Sequence, residues 1–545
     1  MERSMTAIAL VAVLASCAPE ASDDQMCLDA VEVIEECTGT APALPAEGCI
    51  GEFRTSAQEV VAGGCEGLRD PGKADAFCSE WLRWTGLCDF VPVDEAAAVA
   101  SVAAVCPPGR TDALCGALHA RDVPSARTAA ATALADDHAG AIRDPAFQLY
   151  LRERIVSLLV WNGVAELGDG ATPSNYPAAA GSFLDEHFPA YVGDEDAFPL
   201  ARTAEPPVDG WSCTTNSAIV FFPGVVRLMD RREFEQQAEA IHAALPCVHT
   251  IVVDTGSFVR PSVNADRAKA AIDALEAEVG PVDLHLIGYS QGASNVLQTL
   301  ATMPEIAART RTVMTMNGAS HGSEVADLLS DAIRGVGEAE SFCDRILPVA
   351  QPTCAWAASQ SPRPAEFLMN VIAMTMGIPV TDLETWIGAE DDIAAAPTMT
   401  EFFVAHLPGV GSLTTVEAEA FWAEHGEDLP QHVLYTAFRS VITDTWANLP
   451  LSNGLFHALL ERAGGATPYN DMQVRLENQR LGGPVAEVEI VMPVAEGNHW
   501  QWELATGAVD EQTMPADMTD RIPHRSLLTA YAQTLYEVGL FDIAP

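Results

Sequence analysis

At 545 residues, 48% of them apolar, the chain can bury at least one large core and fill several domains, which excludes an intrinsically disordered protein. Its 76 acidic side chains against 29 basic ones leave a formal charge of −47, with Lys73 and Lys269 the only lysines. Such a surface repels phosphate backbones and anionic headgroups and excludes nucleic acid as a partner.

The chain begins "MERSMTAIALVAVLASCAPEAS", with Arg3 ahead of a short apolar run and small residues before a cysteine. That run is too short to remain across a bilayer and predicts an export signal. Leu14-Ala15-Ser16-Cys17 has the form of a lipoprotein cleavage site, so residues 1–16 would be removed and Cys17 lipidated; the competing reading is an ordinary signal cut near Ala18. The expected location is the outer membrane or cell surface through that lipid anchor, otherwise the periplasm or the medium. Of the 13 cysteines, subtracting Cys17 leaves 12, an even number that can all pair in an oxidising compartment. Eight run from Cys27 to Cys115, two are Cys213 and Cys247, and two are Cys343 and Cys354; none has zinc-ligand spacing.

Residues 17–120 are cysteine-dense and short of long periodic segments, as expected of a small module stapled by disulfides. Residues 121–210 open with alanine- and leucine-rich helical patterns, "ARTAAATALADDHAGAI" and "AFQLYLRERIVSLLVWNGVAEL", and end in a Gly/Pro/Asp-rich connection. From residue 211 to 545 strands and helices alternate: "SAIVFFPG", "REFEQQAEAIHAAL", "HTIVVDTG", "NADRAKAAIDALEAEV" and "VDLHLIG". The alternation predicts a doubly wound, mostly parallel α/β sheet, whose functional edge is the carboxyl end of its strands.

At that edge stands "GYSQG", a G-x-S-x-G elbow with Ser290 at its centre, while "GASHG" puts Ser320 in the same pattern. Ser290 has the stronger context, because it closes the third strand of the series and is followed by Gln291, Gly292 and Ala293 at the start of a helix. A serine hydroxyl needs a histidine base held by a carboxylate, in the chain order Ser, acid, His. His499 follows the last strand, "AEVEIVMPVAEG", whereas its rival His524 opens the terminal helix. Asp471 lies in the loop after "HVLYTAFRSVI", with Asp444, Glu477 and Glu496 as competing acids.

The segments "VDLHLIGYSQGASNVL", "MTMNGASHGSEVADLL", "SLTTVEAEAFWAEHGEDLP", "HVLYTAFRSVITD", "NDMQVRLENQRLGG" and "NHWQWEL" resemble, in this order, the successive core segments of the secreted bacterial triacylglycerol lipases. The resemblance covers about residues 215–545 and implies an α/β-hydrolase fold, with Ser290 as nucleophile, Asp471 as acid and His499 as base. It implies that the Ser320 stretch is a loop without a nucleophile, and adds a dedicated folding helper, which the family often has, to the partners expected. Pro223-Gly224 stands where the family has His-Gly, and Tyr289 where it has histidine before the nucleophile. Neither change removes a main-chain donor, so the N–H groups of Val225 and Gln291 can still form an oxyanion hole. Neutral Gln501 stands where the family has an aspartate that helps to bind structural calcium, and counts against that site.

An insertion of about residues 324–430 interrupts the hydrolase pattern and carries an apolar set, Phe367, Leu368, Met369, Trp386, Phe402 and Phe403. It is expected to be a helical subdomain with its own core, a lid over the serine, or both. The sequence thus predicts an exported serine ester hydrolase without cofactor, acting on acylglycerols at a lipid surface. Other esters or polyesters are the alternative substrates, and a non-catalytic surface-binding protein on a hydrolase scaffold is the alternative outside enzymes.

Overall fold

The computed structural model describes residues 101–166, 176–188, 198–203, 205–208, 216–225, 227–327, 407–441, 469–497 and 523–541, with single positions such as Tyr191, Ser330, His499 and Trp502. Cys17 and its signal segment, the cysteines up to Cys88, Cys213, Cys343, Cys354, most of the insertion, Asp444 and Gln501 lie outside the described residues.

Six strands form one sheet in the order β2-β1-β3-β4-β5-β6: β1 Ser217–Phe222, β2 His249–Val252, β3 Asp283–Tyr289, β4 Thr310–Met316, β5 Leu434–Val441 and β6 Glu489–Glu496. Every neighbouring pair is parallel. Such strands are covered by helices on both faces, which is why "AIVFF" and "LYTAF" are unbroken buried runs without polar alternation. The architecture is the doubly wound, parallel α/β sheet expected from the sequence.

The longer helices, in chain order, are α1 Ala113–Ala120, α2 Val123–Asp136, α3 Pro145–Glu166, α4 Tyr176–His187, α5 Arg227–Ala244, α6 Pro261–Val279, α7 Gln291–Thr302, α8 Thr415–His425 and α9 His524–Glu537. Among the described residues none is long and apolar enough to cross a membrane. The helices before β1 share one apolar cluster with the sheet, running from Cys106 to Phe541. Cys106 and Cys115 form a disulfide at the start of that region, and Cys247 is also disulfide-bonded.

Helix α3 packs along α9, and the contact encloses a charge pair. Arg154 donates to Glu537 through Nε at 2.7 Å and Nη2 at 2.6 Å, while its remaining donors reach the carbonyls of Glu205 and Pro206 at 3.0 Å. Every strong partner that a fully buried guanidinium demands is thereby supplied from within the protein.

The chain passes from β1 to β2 on one side and then returns to β3 on the other, so the strand order reverses between β1 and β3. Clefts in open parallel sheets form at this reversal, beyond the carboxyl ends of the strands. The ends are level: Phe222 pairs with Gly288, and Tyr289 with Met316, which pairs with Phe438.

The described ends of the insertion meet near this edge. Asp327 accepts from Thr415 N at 3.0 Å and from Thr415 Oγ1 at 2.8 Å, and Ser323 N donates to Leu413 O at 2.9 Å. The described flanks of the insertion are therefore tied directly to each other.

Candidate active site

Ser290 occupies the one-residue step between β3 and α7, with φ 52° and ψ −120°. A non-glycine residue rarely adopts positive φ, and the flanking contacts explain why this one must. A Cβ on Gly292 would lie 1.9 Å from Phe222 O, and one on Gly288 would lie 2.5 Å from Gly292 O. Only two glycines allow the helix to press so closely on the strand it has just left and on the end of β1. The turn is held by Ser290 N donating to Met316 O at 3.1 Å, and by Ser290 O accepting from Ala293 N at 3.1 Å and Ala319 N at 3.3 Å.

The histidine and the acid arrive from the far end of the sheet. Beyond β6 the chain turns at Gly497, and His499 Nε2 lies 2.9 Å from Ser290 Oγ. His499 Nδ1 lies 2.7 Å from Asp471 Oδ2. Asp471 Oδ1 accepts from the N–H groups of Gln473 at 3.0 Å and Val474 at 2.8 Å, an Asx turn that aims the other oxygen at the imidazole. Since a carboxylate only accepts, Nδ1 carries the proton, Nε2 is an acceptor and the serine hydroxyl donates to it. His499 and Asp471 are fully buried and Ser290 is 5% exposed, so water competes little for these bonds.

The three residues singled out in the sequence are thus brought into one relay. Val225 and Gln291 stand beside it. Val225 packs against the small apolar cluster of Ala319, Ala326, Leu413 and Val474, in which the N–H groups of Ala319 and Val474 bond Ser290 O and Asp471 Oδ1. Gln291 is the first residue of α7, where a main-chain N–H has no partner within the helix, and its side chain is tied to Val259 O at 2.9 Å. The Ser320 stretch is built differently. Ser320 does not have positive φ, and Trp422 Nε1 donates to its carbonyl at 2.8 Å. The adjacent His321 turns away to Leu481 O at 2.8 Å and stacks on Trp422, and burial lowers its pKa.

Sequence reading missed the polar residues behind the relay. Asn317 at the end of β4, Ser440 in β5 and Gln479 are buried and linked: Ser440 Oγ donates to Asn317 Oδ1 at 3.1 Å, and Gln479 Oε1 accepts from Ser440 N at 3.0 Å. Among the described residues no cluster of three or more His, Cys, Asp or Glu side chains could hold a metal ion.

No protein-family model matches the chain, and comparison with curated proteins finds no match. Solved structures similar to it include a metagenomic carboxyl esterase, 18% identical, covering 62% of this chain and 80% of that one with a TM-score of 0.38. A lipase of Bacillus licheniformis in its mature form is 15% identical, over 54% of this chain and 88% of that one, with a TM-score of 0.33.

Proposed function

We propose that the chain is a carboxylic ester hydrolase that works through an acyl-enzyme on Ser290, with acylglycerols as its substrate class. The supporting observation is the relay from Asp471 through His499 to Ser290, at 2.7 and 2.9 Å, seated on a positive-φ turn at the reversal point of the sheet. Ser290 Oγ attacks the ester carbonyl while His499 Nε2 takes its proton, and Asp471 stabilises the imidazolium that forms. The N–H groups of Val225 and Gln291 receive the oxyanion. Collapse expels the alcohol, which leaves with the proton from Nε2. Water then repeats the sequence on the acyl-enzyme and frees the carboxylic acid. No cofactor enters either half-reaction.

The acylglycerol reading draws on the six lipase-like segments between residues 282 and 504. Its test is a series of esters of graded acyl length, assayed below and above the concentration at which substrate forms an emulsion. Turnover of long-chain glycerides that rises sharply at the emulsion is expected. Hydrolysis confined to short, soluble esters, with smooth saturation, would make the enzyme an esterase of another class.

A further inference from the structure

The geometry points to Tyr289 and Asn317 as positioning residues for His499, an inference that rests on reading His499 as the general base. His499 belongs to a loop, and a base on a loop keeps Nε2 in place only if its backbone is pinned, since a displacement of about 1 Å costs on the order of a hundredfold in rate. Its N–H donates to Asp471 O at 2.8 Å. On the other side two side chains converge on its carbonyl: Tyr289 Oη donates at 2.8 Å and Asn317 Nδ2 at 3.2 Å.

These donors come from the carboxyl ends of adjacent strands, where Tyr289 is level with Met316, the residue before Asn317. Asn317 is fully buried and held at φ 45°, a conformation that costs energy and persists where surrounding contacts over-determine it. Its N–H donates to Phe438 O at 3.0 Å and its Oδ1 accepts from Ser440 Oγ, so the carbonyl of the base is fastened to β3, β4 and β5 together. Tyr289 also directly precedes the nucleophile. One rigid strand end therefore sets both the position of Ser290 Oγ and the carbonyl from which the imidazole hangs. The Tyr289 ring, 5.3 Å from the imidazole, forms a wall beside it that phenylalanine would preserve.

The test is kcat and KM of the full chain, normalised to active sites titrated with an organophosphate, for Tyr289→Phe, Asn317→Ala and the double variant. Each single change is expected to lower kcat per titrated site about tenfold, the size expected for one buried hydrogen bond, with KM unchanged. The double variant should lose more than either, because one donor alone still grips the carbonyl. Tyr289→Phe removes a single oxygen and decides the matter should Asn317→Ala fail to fold. Full kcat per titrated site in Tyr289→Phe, whatever its melting temperature, would overturn the inference while leaving the triad intact. Undiminished turnover in Ser290→Ala would instead remove the reading on which it rests.

Discussion

Ser290 and Asp471 reach the same site by opposite local means: the serine is forced out of regular structure by the close packing of Gly288 and Gly292, whereas the aspartate builds its own turn with the N–H groups of Gln473 and Val474. The orientation of Asp471 gives a specific expectation for Asp471→Asn. An amide at that place keeps the shape but can present NH₂ to the imidazole, which moves the ring proton to Nε2 and leaves nothing to accept the serine proton. Turnover near neutral pH should fall by roughly 10³- to 10⁴-fold with KM little changed, measured by steady-state kinetics on a soluble ester. A loss of under tenfold would mean that Asp471 does not set the tautomer. Ser290 was legible in the sequence because an elbow is a local pattern and His499 because it follows the last strand, whereas chain order left Asp471 among Asp444, Glu477 and Glu496 and the resemblance to the lipases singled it out. Asn317, Ser440 and Gln479 were not, because only Asn317 touches His499, Ser440 reaches Asn317 and Gln479 reaches Ser440, and contacts between segments so far apart in the chain leave no mark on any short stretch.

The strands and most helices after residue 216 were visible as buried runs and periodic segments. The stretch ahead of β6 differed. Residues 486–488, expected within the last strand, belong to a 3-10 turn, Gly483–Val488, entered through Gly482 and Gly483 at positive φ, and only Glu489 begins the strand. Glu489 faces back, accepting from Leu481 N at 2.8 Å and Gly482 N at 2.9 Å, so the carboxylate stabilises that turn. The helical pattern of α3 was equally plain, but its partner was not, since α9 lies at the other end of the chain. The buried pair between them makes the contact testable. Glu537→Gln leaves the Arg154 charge without its counter-charge in the interior, and removing one member of such a pair costs about 3–5 kcal/mol. The urea midpoint should drop accordingly, with an unchanged slope. An unchanged midpoint would show that the Glu205 and Pro206 carbonyls suffice to hold Arg154.

Across the whole molecule the formal charge is −47, and buried groups among the described residues add their own pH dependence to folding. Burial raises Glu153 to about 7, with Arg152 Nη2 3.6 Å from its Oε1, and burial lowers His187 to about 4 and His285 to about 3. The signs follow from proton binding. Folded Glu153 retains a proton that the unfolded chain releases near the ordinary value of 4.5, so its share of stability falls as pH rises from there to about 7. The unfolded histidines bind protons near 6.5 while the folded ones do not, so their share falls as pH drops from 6.5 toward 4 and 3. Glu153→Gln should therefore gain stability relative to the parent as pH rises from 4.5 to about 7, read as urea midpoints across that range. A difference between the two proteins that does not vary with pH would show that Glu153 titrates normally.

Activation of one serine by one histidine at the elbow can be read by treating the full chain with an organophosphate and locating the adduct by peptide mass spectrometry. One adduct per chain is expected, on the peptide containing Ser290, lost in Ser290→Ala, strongly slowed in His499→Ala and unaffected in Ser320→Ala. Labelling at Ser320, or rapid labelling that survives Ser290→Ala, would mean that the nucleophile is not Ser290.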